Sequence, residues 1–239
     1  MSFEGQRVVV LGGTSGIGLA VAQAAAAQGA EVIVASSTAE RVADTLKTLP
    51  ANASGHIVDL SNEAAVKALF EAIGAYDHLV FTAGQPLEIM PITEASVEKA
   101  QAFFATRYWG AFAAVKYGHA GIRKGGSITL SSGTAGTRPG PGWSVMSSIC
   151  AGMEGFTRAL AVELAPLRVN VVAAGVVKTP LWRNMPPEAI EALYAGEEKR
   201  LPVHYVATAE DIAKGYLYLM EQPYVSGQTL YMDGGGLLA

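Results

Sequence analysis

"LGGTSGIG" (11–18) follows the β-branched run "RVVV" and precedes the alanine-rich run "LAVAQAAAAQ". Gly12 permits a tight turn, Gly16 lets the backbone approach a pyrophosphate, and Gly18 lets the next helix pack closely on a sheet. Thr14, Ser15 and Ile17 complete a loop whose backbone N–H groups face an anion at the helix N-terminus. A glycine pattern alone is weak evidence. Its place after a strand and before a helix makes it a strong mark of a dinucleotide cradle.

Outward from this loop, short apolar runs alternate with helical patterns. Strands are expected at 7–12, 31–36, 55–60, 78–84, 126–132, 168–175 and 228–235, with helices near 16–28, 39–48, 62–73, 96–120, 144–164 and 209–220. Several strands are apolar on both faces, as a parallel sheet covered by helices requires. The pattern predicts an α/β Rossmann-type, doubly wound parallel sheet of about seven strands, in one domain spanning 1–239. One long stretch, 179–207, reads as irregular and is expected to be a lid over a substrate.

Half of the 239 residues are hydrophobic and 16% are charged, which excludes a disordered chain. With 17 basic against 21 acidic side chains and no basic run, no nucleic-acid partner is expected. A lone cysteine, Cys150, precludes an intrachain disulfide and suits a reducing compartment. No signal-peptide pattern opens the sequence, and no run of about 18 apolar residues is present to span a bilayer. A cytoplasmic location without membrane or metal is the expectation.

The end of the second strand selects between the two nicotinamide dinucleotides. An NAD site places a carboxylate about 20 residues beyond the glycine loop to bond the ribose 2′-OH. Here Ser36, Ser37 and Thr38 occupy that region, with Arg41 one turn into the next helix. Three hydroxyls and no negative charge favour NADP(H) over NAD(H). Arg41 reads equally well as a solvated helix residue.

"GGTSGIG", "VDLSNEAAV", "AGMEGFTRALAVELAPLRVNVVAAGVVKTPL", "TAEDIA" and "SGQTLYMDGG" together resemble the short-chain dehydrogenase/reductase family over nearly the whole length. The resemblance implies one NAD(P)-binding domain, commonly assembled as a dimer or tetramer, acting on a small-molecule carbonyl or alcohol. It further implies that Asp59, followed by Leu60, bonds the adenine. Thr82, Ala83 and Gly84 would pass under the adenine ribose. Gly175, Val177 and Thr179 would lie near the nicotinamide, Thr179 reaching the carboxamide.

The resemblance fails where the chemistry should be. Aligning "AGMEGFTRAL" puts Met146 at the family's Tyr and Cys150 at its Lys, while Arg107 falls on its Asn and Ser132 keeps its Ser. The family's Tyr exchanges a proton with the substrate oxygen, and Lys, one helical turn on, lowers the phenol's pKa. Met146 has no proton to give. Ser132 is the best surviving catalytic candidate, and Arg107 is a candidate for stabilising a developing alkoxide, although pairing with a carbonyl or carboxylate in the sheet–helix interface is an equal alternative. His204 and Tyr205 are weaker proton sources, and Cys150 reads as a small buried hydrophobe. Trp182, Met185 and Tyr194 are candidates for an apolar pocket. Three readings follow: an NADP(H)-dependent oxidoreductase with a remodelled site, a non-catalytic NADP(H)-binding sensor or structural partner, and, last, a non-redox enzyme of the halohydrin dehalogenase kind.

Overall fold

The computed structural model describes residues 2–239. Seven parallel strands form the central sheet in the order β3-β2-β1-β4-β5-β6-β9. They are β1 (Arg7–Leu11), β2 (Glu31–Ser36), β3 (Ser54–Ile57), β4 (Tyr76–Phe81), β5 (Ile122–Gly133), β6 (Arg168–Ala174) and β9 (Thr229–Met232). Two-residue strands β7 (Val177–Lys178) and β8 (Ala207–Thr208) pair separately. The order reverses between β1 and β4, and the crevice at that switch point faces the glycine loop.

Strand periodicity divides the core in two. Val9, Leu11, Leu79, Phe81, Ile128 and Leu130 point to one face, under α3 (Glu63–Ile73), α5 (Gly110–Gly118) and α6 (Ser144–Glu163). Val8, Val10, Val32, Val34 and Val80 point to the other, under α1 (Gly16–Ala27) and α8 (Ala209–Glu221). α2 (Ala39–Leu46) packs along β3 and β2. No helix among the described residues is long and apolar enough to cross a membrane.

Two expected elements differ. The helix expected over 96–120 is divided into α4 (Val97–Phe104), a π-helical turn (Ala105–Trp109) and α5, followed by a 3₁₀ turn at His119–Gly121. The π turn inserts an extra residue into the helix, a device found mostly at functional sites. The 179–207 stretch is not irregular either. It carries a 3₁₀ turn (Pro180–Trp182) and a full helix, α7 (Pro187–Arg200). Pro187 starts this helix at a position where its missing N–H costs nothing, and Lys199 and Arg200 complement the C-terminal dipole. Ile190, Leu193 and Tyr194 of α7, with Met185, pack against a third cluster formed by Leu87, Met90, Phe103, Val145, Met146, Ile149 and Trp182.

Candidate functional site

The glycine loop has the geometry its sequence demands. Gly12 adopts φ +86°, and a β-carbon there would lie 2.6 Å from the Ala83 nitrogen. A β-carbon on Gly18 would meet the Gly12 carbonyl oxygen and Thr82 Oγ1, each at 2.3 Å. Gly16 opens α1 at φ +50°, across from Thr179. Ser15 is the N-cap, yet no side chain caps the helix, so its first N–H groups are free for an anion.

These groups wall a cavity of about 640 Å³ running from the glycine loop to Ser132. Thr14, Ser15, Gly16, Ile17, Ser36, Ser37, Asp59, Leu60, Thr82, Ala83, Gly84, Gly175, Val177 and Thr179 all line it, as does Arg41. Thr38 does not. It is the N-cap of α2, directly after the wall residue Ser37. Asp59 Oδ1 accepts from Ser61 Oγ at 2.7 Å and Ser61 N at 2.9 Å, and these bonds hold its carboxyl below the usual carboxylate value. The Thr179 hydroxyl donates to Val177 O at 3.5 Å and accepts from Leu181 N at 3.4 Å, fixing the turn into Pro180. An uncapped helix end, a hydroxyl-lined strand end and one continuous cavity fit a nicotinamide dinucleotide.

At the far end, Ser132 closes β5 and Cys150 lies on α6 behind it. Ser132 Oγ is within donating distance of Cys150 O (3.2 Å) and Glu154 Oε1 (3.3 Å). Burial pushes the Cys150 thiol up, against the opposing pulls of the Ser132 hydroxyl, the Gly133 N–H and the Arg107 guanidinium. A raised thiol pKa removes the thiolate and with it any nucleophilic character. Met146 is buried in the third apolar cluster while also lining the cavity, so this part of the wall is apolar.

Arg107 sits in the middle of the π turn. Its Nη2 donates to Gln85 O, which bears out the carbonyl-pairing alternative, and its guanidinium covers Gly84. The same side chain lines the cavity, so pairing does not remove it from the site. Its Nε is enclosed without a partner among the described residues. Burial pulls the guanidinium pKa down, with Cys150 acting in the opposite sense. From so high an ordinary value it stays a cation.

Other sequence candidates fall elsewhere. His204 and Tyr205 are exposed and outside the cavity wall, and Met185 and Tyr194 pack in the third cluster without reaching it. Trp182 does line the cavity, its Nε1 donating to Val177 O at 2.9 Å. Several wall residues carried no sequence signal. Gln85 bonds Thr106 Oγ1 through Nε2 at 2.8 Å and leaves Oε1 enclosed and unpartnered among the described residues. Trp143, Ile149 and Leu181 add apolar surface. Glu154, one turn beyond Cys150, joins Ser132 from behind, and its i+4 spacing was the one available hint.

A family model described as enoyl-(acyl carrier protein) reductase matches residues 12–236. The short-chain dehydrogenase/reductase malC of Malbranchea aurantiaca is 33% identical, over 98% of this chain and 96% of that protein. A structure described as MalC reductase/Diels-Alderase superposes with a TM-score of 0.92 at 31% identity, covering 99% of this chain and 98% of that one. A small-chain dehydrogenase solved in complex with NADPH superposes at 0.87 with 37% identity, covering 98% and 99%. Agreement across the glycine loop, the seven-stranded sheet and the whole chain length admits one conclusion: the chain belongs to the short-chain dehydrogenase/reductase family.

Proposed function

We infer that the protein is an NADP(H)-dependent oxidoreductase of a small carbonyl or alcohol substrate, working with a remodelled site. The observation that carries this reading is the single cavity joining the uncapped N-terminus of α1 to Ser132 and Arg107. Ser36, Ser37 and Arg41 line the ribose end with no carboxylate among them, which supports NADP(H), as does the likeness to a dehydrogenase solved with NADPH. A bound nicotinamide supplies or takes the hydride. The protein's share is to orient the substrate oxygen on Ser132 and to stabilise its negative charge with Arg107.

Trp143, Met146, Ile149, Leu181 and Trp182 give the substrate end an apolar lining, which suits an apolar substrate, and the 179–207 segment with α7 serves as its lid. Tyr108, Trp109, Phe112 and Phe156 form an aromatic ladder on the π turn, α5 and α6, with Trp109 58% exposed. That face suits a homodimer or homotetramer built through these helices. The loss of both proton-handling groups, with Met146 and Cys150 in their places, favours a second reading as a non-catalytic NADP(H)-binding sensor or structural partner.

The test is NADPH oxidation by the purified protein across a broad carbonyl panel, beside direct measurement of NADPH binding. Turnover that falls by about 10²-fold in Ser132→Ala, with binding retained, supports the first reading. Tight binding with no turnover on any panel member establishes the second.

A further inference from the structure

A reduction at this site needs a proton, and Met146 and Cys150 supply none. Ser132 alone does not solve the problem, since an isolated serine hydroxyl that gives up its proton is left as an alkoxide. The structure joins Ser132 to a second group. Glu154 Oε1 lies 3.3 Å from Ser132 Oγ, and Glu154 Oε2 accepts from the Tyr231 hydroxyl at 3.2 Å. The Tyr231 hydroxyl in turn lies 3.0 Å from Thr137 Oγ1. Ser132 lines the cavity, Glu154 stands behind it, and Tyr231 is 38% exposed. A path of three side chains, Ser132, Glu154 and Tyr231, therefore runs from the cavity, through a carboxyl group, to the protein surface.

We propose that Glu154 is the proton relay of this site, exchanging protons with the substrate oxygen through Ser132 and with solvent at Tyr231. In the oxidising direction the substrate O–H gives its proton to Ser132 Oγ while the Ser132 proton passes to the Glu154 carboxylate. A bound oxidised nicotinamide would take up the C–H electron pair of the carbinol carbon as hydride, leaving the carbonyl. In the reducing direction protonated Glu154 returns its proton by the same two transfers, and the serine is neutral before and after. The resting geometry is set for this exchange, because the Ser132 hydroxyl can donate toward Glu154 and leave its lone pairs for the substrate. Titratable and charged groups linked to Glu154 include Tyr231 on β9, Cys150 on α6 and, facing Cys150, Arg107 on the π turn. Glu154 acts through Ser132 and is a positioning residue, not one that touches substrate.

The proposal rests on the oxidoreductase reading, and the variants Glu154→Gln, Glu154→Asp and Tyr231→Phe separate the two. NADPH binding, kcat, KM and the pH profile are measured for each. Wild-type carbonyl reduction should climb toward acid pH. Glu154→Gln should lose about 10²-fold in kcat and the acid climb, with NADPH binding and KM within twofold, and Glu154→Asp should restore most of both. Tyr231→Phe, which cuts only the surface end, should lower kcat several-fold and decides the matter if Glu154→Gln does not fold. In the cofactor-free protein, the side-chain carboxyl ¹³C resonance of Glu154 should move in Ser132→Ala and in Tyr231→Phe. Turnover unchanged in rate and pH profile by Glu154→Gln overturns the relay and leaves the oxidoreductase standing. NADPH binding without wild-type turnover overturns both.

Discussion

The guanidinium of Arg107 rests on Gly84, so closely that a β-carbon there would lie 2.5 Å from Nη1 and 2.6 Å from Cζ. The floor of the cavity and a buried cation of its wall are thus fitted to one another. Gly84→Ala should push the guanidinium aside at a cost to stability of about 1 kcal/mol, since the group displaced is the end of a flexible side chain. Turnover should fall at least tenfold with NADPH binding retained. Full activity in Gly84→Ala would remove Arg107 from the chemistry.

Arg107 and Cys150 lie within electrostatic reach of one another. Cys150→Lys alone would bury a second cation facing Arg107, only partly offset by Glu154, at a cost of about 1–3 kcal/mol. Met146→Tyr with Cys150→Lys should therefore fold poorly, while adding Arg107→Asn should recover stability and yield generic carbonyl reduction. Thermal melts and the carbonyl panel check both parts. Equal melting of the double and triple variants would show the two positions to be independent.

The loop tolerates no side chain at Gly18. Gly18→Ala drives a methyl group into a backbone carbonyl and Thr82, at a cost of about 3 kcal/mol, which for a chain of this size lowers Tm by roughly 6–12 °C. NADPH binding should fall with it. Calorimetry with and without NADPH measures both effects.

A buried histidine far from the cavity sets an acid limit on stability. Burial, helped by Arg168, lowers His78 to about 4, with Nε2 against Gln6 Oε1 at 2.7 Å and Nδ1 against Ser127 Oγ at 2.9 Å. The unfolded chain binds this proton at a higher pH than the folded one. Stability from His78 is therefore complete above about pH 6.5 and is lost as pH falls toward 4, a change of roughly 3 kcal/mol. Urea melts across that window should show the slope, and His78→Gln should flatten it.

The glycine loop, the alternation of strands and helices and the strand-end residues were legible because local backbone demands and two-sided burial write themselves into short windows. Other features depend on more than a window shows. Phe104, Ala111 and Val115, at i, i+7 and i+11, fit one uninterrupted helical period well enough to hide the π turn between them. α7 has no fully buried residue, so its apolar stripe is faint, although Pro187 and Lys199–Arg200 mark its ends. Glu154 bonds Ser132 and Gln85 bonds Thr106 across separations of 22 and 21 residues, contacts that a short sequence window does not reveal.

The π turn at Ala105–Trp109 has a consequence for how such a site can change. Each residue of an α-helix advances the side-chain direction by about 100°. One surplus residue lets Phe103 face the third apolar cluster and Ala111, Ala114 and Val115 face the sheet while Arg107 lines the cavity. Losing a single codon there would swing the guanidinium out of the cavity with both flanking helices left in place. The chemistry of this fold is adjustable by phase as well as by substitution.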